Sequence, residues 1–328
     1  MLAGRFASHS GSVVGSPMYV DLMARCAADI RAGGPVWRLM EGHEGPPMSV
    51  PALRMLGAVH RLVLSGGAPE LAPFYPSVGG TYDGVRAWPV FLAVLDRGVP
   101  GLDRMVQTNE VGRAGALLGG FHLASAAFGR PVRLLEVGAS AGLLLHFDAY
   151  RYVGPSVSWG PIGSPVRLLV PDLPIDPAFR VAERRGCDVA PIDPASDDGR
   201  LTLLSYVWPD MTDRLARLRA ALDLATASLA PPAVEEADAV EWVRARLAED
   251  GDGALPVVFH SIVLQYLTPA AREAFVAAVA EGDAPRAWLR FEPEDDVFAV
   301  RLTTWPGGEE RVLAHAHPHG YDVRWLAT

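Results

Sequence analysis

The sequence predicts an α/β protein: a mostly parallel sheet with antiparallel edge strands, preceded by a helical N-terminal domain. Three observations predict it. From Pro131 onward, short apolar runs alternate with amphipathic helical stretches, the pattern of a parallel sheet covered on both faces. Before Pro131 no stretch shows the alternation of a half-buried strand. Near the end, Gly307-Gly308 and Pro318-His-Gly320 separate short strand-like runs, which predicts a meander along one edge.

The elements follow in order. Residues 1 to about 15 read as a frayed end. Ser16-Pro17 and Ser49-Val-Pro51 are helix starts, with further helical patterns at about 84–97 and 110–128. Val132–Val137 is the first sheet strand, and 141–151 its helix. Residues 152–213, rich in Pro and Asp, read as a long irregular insertion. Leu215–Ser228 is helical, Ala233–Ala237 a short strand, Ala239–Leu247 a helix and Pro256–His260 a strand. Thr268-Pro269 caps a helix through Ala280, and Arg286–Phe291 is the next strand. The domains expected are therefore a helical cap at 1–130 and a sheet domain at 131–328, interrupted at about 152–213.

Composition narrows the function. A net charge of −9 over 328 residues speaks against a general nucleic-acid binder. All 29 basic residues are Arg. Cys26 and Cys187 lie far apart in sequence and read as two reduced thiols. No signal-peptide pattern and no membrane-length apolar run is present, so a soluble cytoplasmic protein with no membrane partner is expected.

The stretch Leu134-Leu-Glu136-Val-Gly138-Ala-Ser140-Ala-Gly142-Leu143 carries the strongest chemical signal. A buried strand, a tight turn of small residues and a helix start let backbone N–H groups approach a ligand closely. Three chemistries fit. A nucleoside cofactor would rest on the turn, with Glu136 organising one end. Gly138-x-Ser140-x-Gly142 also satisfies the nucleophile-elbow pattern of a serine hydrolase, with Glu292 and one of His315, His317 or His319 completing the order Ser, acid, His. Dinucleotide binding fits worst, because the second glycine of its motif is absent.

Rare polar residues add candidates. The chain has one Asn and two Gln, and Gln107 and Asn109 share the segment Gln107-Thr-Asn109-Glu110-Val-Gly112-Arg113. They read either as a helix start or, with Arg113, as substrate contacts, since amides give directional neutral hydrogen bonds. Gln265, Tyr266 and Glu292 follow later strands at the ligand end of such a sheet. His260 is a candidate general base. His315-Ala-His317-Pro-His319 lacks the Cys or carboxylate spacing that would complete a metal set, so no metal is expected, and His317 and His319 read as proton shuttles or substrate contacts. An acid at the second strand end would hold ribose hydroxyls, and Asp148 and Asp193 both remain open.

The motif Glu136-x-Gly138-x-Ser140-x-Gly142 resembles that of class I S-adenosylmethionine-dependent methyltransferases, with Ser140 in place of the middle glycine, over about 131–295. That resemblance implies a Rossmann-like methyltransferase-type sheet and S-adenosylmethionine as cofactor. It implies cofactor contacts from Glu136, Gly138, Ser140, Gly142, Asp193, Asp238, Ala239 and Ser261. A small molecule bound under the helical cap would be the methyl acceptor. A non-catalytic nucleoside binder and an enzyme using the same cofactor for other chemistry stay open. Tyr75-Pro-Ser77, Gln107–Arg113, Leu135–Gly142, Arg185-Gly-x-Asp188, Ser205–Asp210, Val258–Ser261 and Ala316–Gly320 together resemble an uncharacterised bacterial family of unknown function, over nearly the whole chain.

Overall fold

The structure is a computed structural model that describes residues 2–12, 15–45 and 49–326. In chain order the helices are α1 (Leu2–Ser12), α2 (Pro17–Arg31), α3 (Pro35–Met40), α4 (Pro51–Leu64), α5 (Gly84–Asp96), α6 (Arg113–Phe128), α7 (Asp197–Ser205), α8 (Thr212–Thr226), α9 (Ala239–Ala248) and α10 (Pro269–Ala280). The strands are β1 (Val132–Val137), β2 (Arg151–Val153), β3 (Ser158–Trp159), β4 (Arg167–Leu169), β5 (Val181–Asp188), β6 (Ala233–Glu236), β7 (Leu255–Ser261), β8 (Arg286–Glu294), β9 (Val297–Trp305), β10 (Glu309–Ala316) and β11 (Arg324–Trp325). No described helix is long and apolar enough to cross a membrane.

The chain forms two units. The first comprises residues 1–108 and 196–219 and is helical. Local chemistry starts its helices. Ser16 accepts from the Tyr19 N–H and Asp83 from the Val85 and Arg86 N–H groups, while Pro17, Pro35 and Pro51 sit in first turns where no N–H is needed. The segment expected to fray is instead α1, because Leu2 and Phe6 are buried in the apolar core of this unit. Met23, Met55, Val59 and Phe91 belong to the same core. Each side chain buried this way contributes about 1.5–3 kcal/mol. Asp210 closes a long loop by accepting from the Ser16 hydroxyl at 2.5 Å and the Met18 N–H at 3.0 Å.

The second unit comprises residues 109–195 and 220–328. Its main sheet has the order β11-β10-β9-β8-β7-β1-β5-β6. β8, β7, β1, β5 and β6 are parallel, and β9, β10 and β11 add antiparallel pairings. This is a mixed α/β fold with a large, mostly parallel sheet, and the meander lies on the edge expected of it. Alternation assigns the two faces. Leu135, Val137, Val258 and Trp288 pack with Trp242 and Val243 of α9 and Phe275 and Val279 of α10. Phe259 points the other way, meeting Phe121 of α6 edge-on with ring centroids 5.0 Å apart. There α6 lies close to the sheet: a Cβ on Gly120 would stand 2.3 Å from Leu289 Cδ1.

Two expectations fail locally. The helix expected at 141–151 is a 3-10 segment, Leu143–Ala149, followed at once by β2. Its residues Leu143–Phe147 are all buried, leaving no polar face for an amphipathic helix. Tyr150 also donates its hydroxyl proton to the Leu143 carbonyl at 2.5 Å, folding the segment back on itself. The insertion expected at 152–213 is ordered: β2, β3 and β4 form a small sheet, β5 joins the main sheet, and α7 belongs to the helical unit.

Candidate functional site at the carboxyl end of the central strands

The parallel strands number first to fifth in chain order as β1, β5, β6, β7 and β8, so the sheet reads third-second-first-fourth-fifth. After β1 the chain continues on one side of that strand, and after β6 it crosses to the other. Open sheets bind ligands at such a switch point, outside the carboxyl ends of the strands.

The β1 turn is built for that position. Gly138 (φ +68°), Ser140 (φ +53°) and Gly142 (φ +69°) are all left-handed. At Gly138 a Cβ would meet Val263 Cγ2 at 2.6 Å, so only glycine fits between this turn and the one after β7. Most turn N–H groups are spent internally. Ala139 N–H donates to Cys187 O, Ser140 N–H to Asp188 Oδ2 at 2.8 Å, Gly142 N–H to Ala139 O, and Leu143 N–H to Asn109 Oδ1 at 3.1 Å. Asn109 Nδ2 donates to Ala139 O at 3.0 Å. The lone asparagine therefore clamps both ends of the turn.

Two buried side chains in this turn keep polar atoms unpartnered: Glu136 Oε2 and Ser140 Oγ have no hydrogen-bond partner among the described residues. Both residues are at most 3% exposed. Burial, and then the neighbouring Asp188 carboxylate, push the Glu136 carboxyl well above the usual range.

After β7 the geometry differs. His260 is fully buried, and its Nδ1 lies 2.7 Å from Glu292 Oε1. Trp288 Nε1–H donates to His260 Nε2 at 3.0 Å. An indole N–H can only donate, so Nε2 accepts and Nδ1 carries the proton given to Glu292. Glu292 Oε1 also accepts from Val263 N–H at 2.8 Å and Leu264 N–H at 3.3 Å. Burial would raise this carboxyl, but the His260 hydrogen bond and the two backbone N–H groups hold it below its usual value. The fixed loop includes Ile262 at φ +58°, a strained conformation for a β-branched residue.

His260 is therefore not the general base expected of it. Both its nitrogens are engaged, and by alternation it faces α10 whereas Glu136 faces α6. The hydrolase arrangement is not assembled either, because Glu292 holds His260 rather than a histidine of 315–319.

The other expected residues separate. Arg113 joins two loops, donating from Nε to Pro318 O at 3.0 Å and from Nη1 to Ser261 O at 3.1 Å. This brings Ser261 together with the turn that carries His317 and His319. His319 Nδ1 lies 3.5 Å from Glu110 Oε2, and His317 stacks on Tyr321. His315 is elsewhere, beside Arg324. Gln265 and Tyr266 are exposed on a 3-10 turn after β7. Gln107 falls in the helical unit and is half-buried. Asp238 caps α9 through the Val240 and Glu241 N–H groups, which places Ala239 in its first turn. Asp148 pairs with Arg184.

Neither acid expected at the second strand end stands there. Asp193 lies past β5 and accepts from the Ala195 N–H. The strand ends on Asp188, which accepts from Ser140 N–H through Oδ2 and Ala190 N–H through Oδ1. Its position beside β1 in the sheet, and its place in the Arg185-Gly-x-Asp188 motif, were the signal for it.

The family model described as "Uncharacterized protein conserved in bacteria (DUF2332)" matches residues 3–325. The chain belongs to this family. No curated protein and no solved structure matches it. The motif segments of the DUF2332 chain have structural employment in both units: Asn109 and Asp188 around the β1 turn, His260 on β7, and Asp210 in the helical unit.

Proposed function

We propose that the sheet unit is a Rossmann-like, methyltransferase-type domain that binds S-adenosylmethionine at the carboxyl ends of β1 and β5 and transfers its methyl group to a small molecule. The observation that carries this reading is the pair of buried, unpartnered polar atoms, Glu136 Oε2 and Ser140 Oγ, on a left-handed turn at the switch point. The residues present fit the cofactor. Glu136 and Ser140 offer polar atoms to its amino-acid end. Each Asp188 oxygen has a second lone pair for a ribose hydroxyl beyond the N–H it accepts.

When bound, the cofactor supplies an activated methyl group. The chain supplies placement, worth several kcal/mol of barrier when the reacting atoms are held in line. Asn109 and Asp188 keep the turn in one shape, and Arg113 fixes the Ser261 carbonyl. His319, beside the Glu110 carboxylate, is the group assigned to hold a proton from the acceptor, with His317 next to it.

Calorimetry with S-adenosylhomocysteine tests the reading. Binding is expected for the wild type and at least 10-fold weaker binding for Glu136→Ala. No heat at millimolar ligand defeats the proposal, whereas equal binding by Glu136→Ala defeats only the assignment of the site.

A further inference from the structure

The helical unit holds a second arrangement of reactive groups, independent of the sheet. His60 of α4 is fully buried. Its Nδ1 lies 3.0 Å from the Ser205 carbonyl oxygen and its Nε2 lies 2.9 Å from Ser77 Oγ. A carbonyl can only accept, so Nδ1 carries the proton, and Nε2 accepts from the Ser77 hydroxyl. Tyr75 packs beside the imidazole at 5.9 Å between ring centroids. The result is a serine, an imidazole in the tautomer that can take its proton, and a third group that fixes the ring: nucleophile, base and orienter.

The loop carrying Ser77 is rigid. Val78, Gly79, Gly80 and Thr81 N–H groups donate to the carbonyls of Tyr75, Pro76, Tyr75 and Pro73. Gly80 lies so close under the chain that a Cβ there would stand 2.3 Å from Ala72 O. The Ser77 N–H stands beside its own Oγ on the 3-10 turn Pro76–Val78. It is the donor nearest to a developing oxyanion on a group bonded to Oγ. Ser77 is half-buried, not enclosed, and the segment Phe74–Gly80 carries no charge.

We propose that Ser77 and His60 form a nucleophile–base pair that accepts the acyl group of a small, uncharged, activated ester. Ser77 Oγ bonds to the acyl carbon while its proton passes to His60 Nε2, and that proton leaves with the displaced alcohol. Water then adds to the acyl carbon with Nε2 again as base. The carboxylic acid departs and Ser77 regains its proton, so ester and water become acid and alcohol.

The experiment is exposure of the whole protein to an alkyl fluorophosphonate, followed by mass-spectrometric mapping of the adduct. The expected result is one phosphonate on Ser77, lost in Ser77→Ala and unchanged in Ser140→Ala, with all three proteins giving the same far-ultraviolet circular dichroism. Burial lowers the His60 imidazole to about 4, against the pull of the Ser205 and Val207 backbone groups. The labelling rate should therefore stay level from pH 8 to about pH 5 and fall as the pH drops through about 4. Replacing the base with His60→Gln should slow labelling by about 10²-fold or more. An unlabelled Ser77 in the folded wild type overturns the proposal. So does a rate that falls with a midpoint near 7, because the base would then be another histidine.

Discussion

Arg133 and Glu136 sit on the same strand, and each is 2% exposed. At the amino end, the Arg133 guanidinium is ringed by opposite charges, although its Nε makes no hydrogen bond among the described residues. Nε lies 2.5 Å from Glu183 Oε2, Nη2 pairs with Glu249, and Nη1 donates to Arg246 O at 2.9 Å. Arg185 and Arg246 reach the same carboxylates. At the carboxyl end, Glu136 keeps an oxygen with no partner and a neighbouring acid that opposes its charge. The two ends have equal burial and opposite electrostatics. The amino end sets opposite charges side by side, whereas the carboxyl end sets one acid beside another.

The sharpest way to break this contrast is Arg133→Ala. It leaves the part-exposed Glu183 and Glu249 carboxylates facing each other without their cation and should cost about 1.5–3 kcal/mol in chemical denaturation. A cost below about 1 kcal/mol would mean that the amino end is not a stability centre.

Next come two carboxyls with opposite pH behaviour. Glu292 is held below its usual value, so its contribution is present above pH 4.5 and is lost as the pH falls through its folded value. Glu292→Gln should cost about 1.5–3 kcal/mol at pH 7, with the deficit shrinking below pH 4.5. Glu136 is raised, so its ionisation penalises the folded state increasingly as the pH rises above 4.5. Glu136→Gln should gain stability on the wild type over that range, by at most about 1.4 kcal/mol per pH unit. Thermal melts of both variants from about pH 2.5 to 8 read both slopes. Parallel slopes would remove the distinction between these groups.

Smaller effects follow. Asn109→Ala leaves the Leu143 N–H without its acceptor and the Ala139 carbonyl with the Gly142 N–H alone, and should cost about 1–3 kcal/mol, read by the same melts. Ile262→Gly relieves a left-handed conformation but adds chain entropy in the unfolded state. Its net stability change should stay within about 1 kcal/mol, read by the same melts.

The parts legible in the sequence were those whose pattern is local. The β1 turn, the meander turns and most helix starts each carry their small residue or cap within a few positions. β5 was illegible because Val181-Ala-Glu-Arg-Arg-Gly-Cys-Asp188 is too charged to read as a buried strand. Glu183 and Arg185 are tolerated there only because they join the Arg133 network, which involves residues up to Glu249. Missing that strand displaced the expected acid from Asp188 to Asp193. His260 misled for a similar reason. Whether a strand-end histidine faces a ligand or a tryptophan depends on Trp288, which arrives a strand later. Asn109 drew attention through its rarity, yet only the fold shows that its amide is spent on backbone.

The Trp288 hydrogen bond has a consequence in time as well as in position. Its indole proton is held by His260 between two central parallel strands, and the ring is 6% exposed with Arg290 4.2 Å above it. Solvent deuterium can reach that proton only when α9 and α10, packed on this face, lift away or β7 and β8 part. Its exchange half-life is thus a clock for the rarest openings of the sheet and the helices on it, readable at one atom.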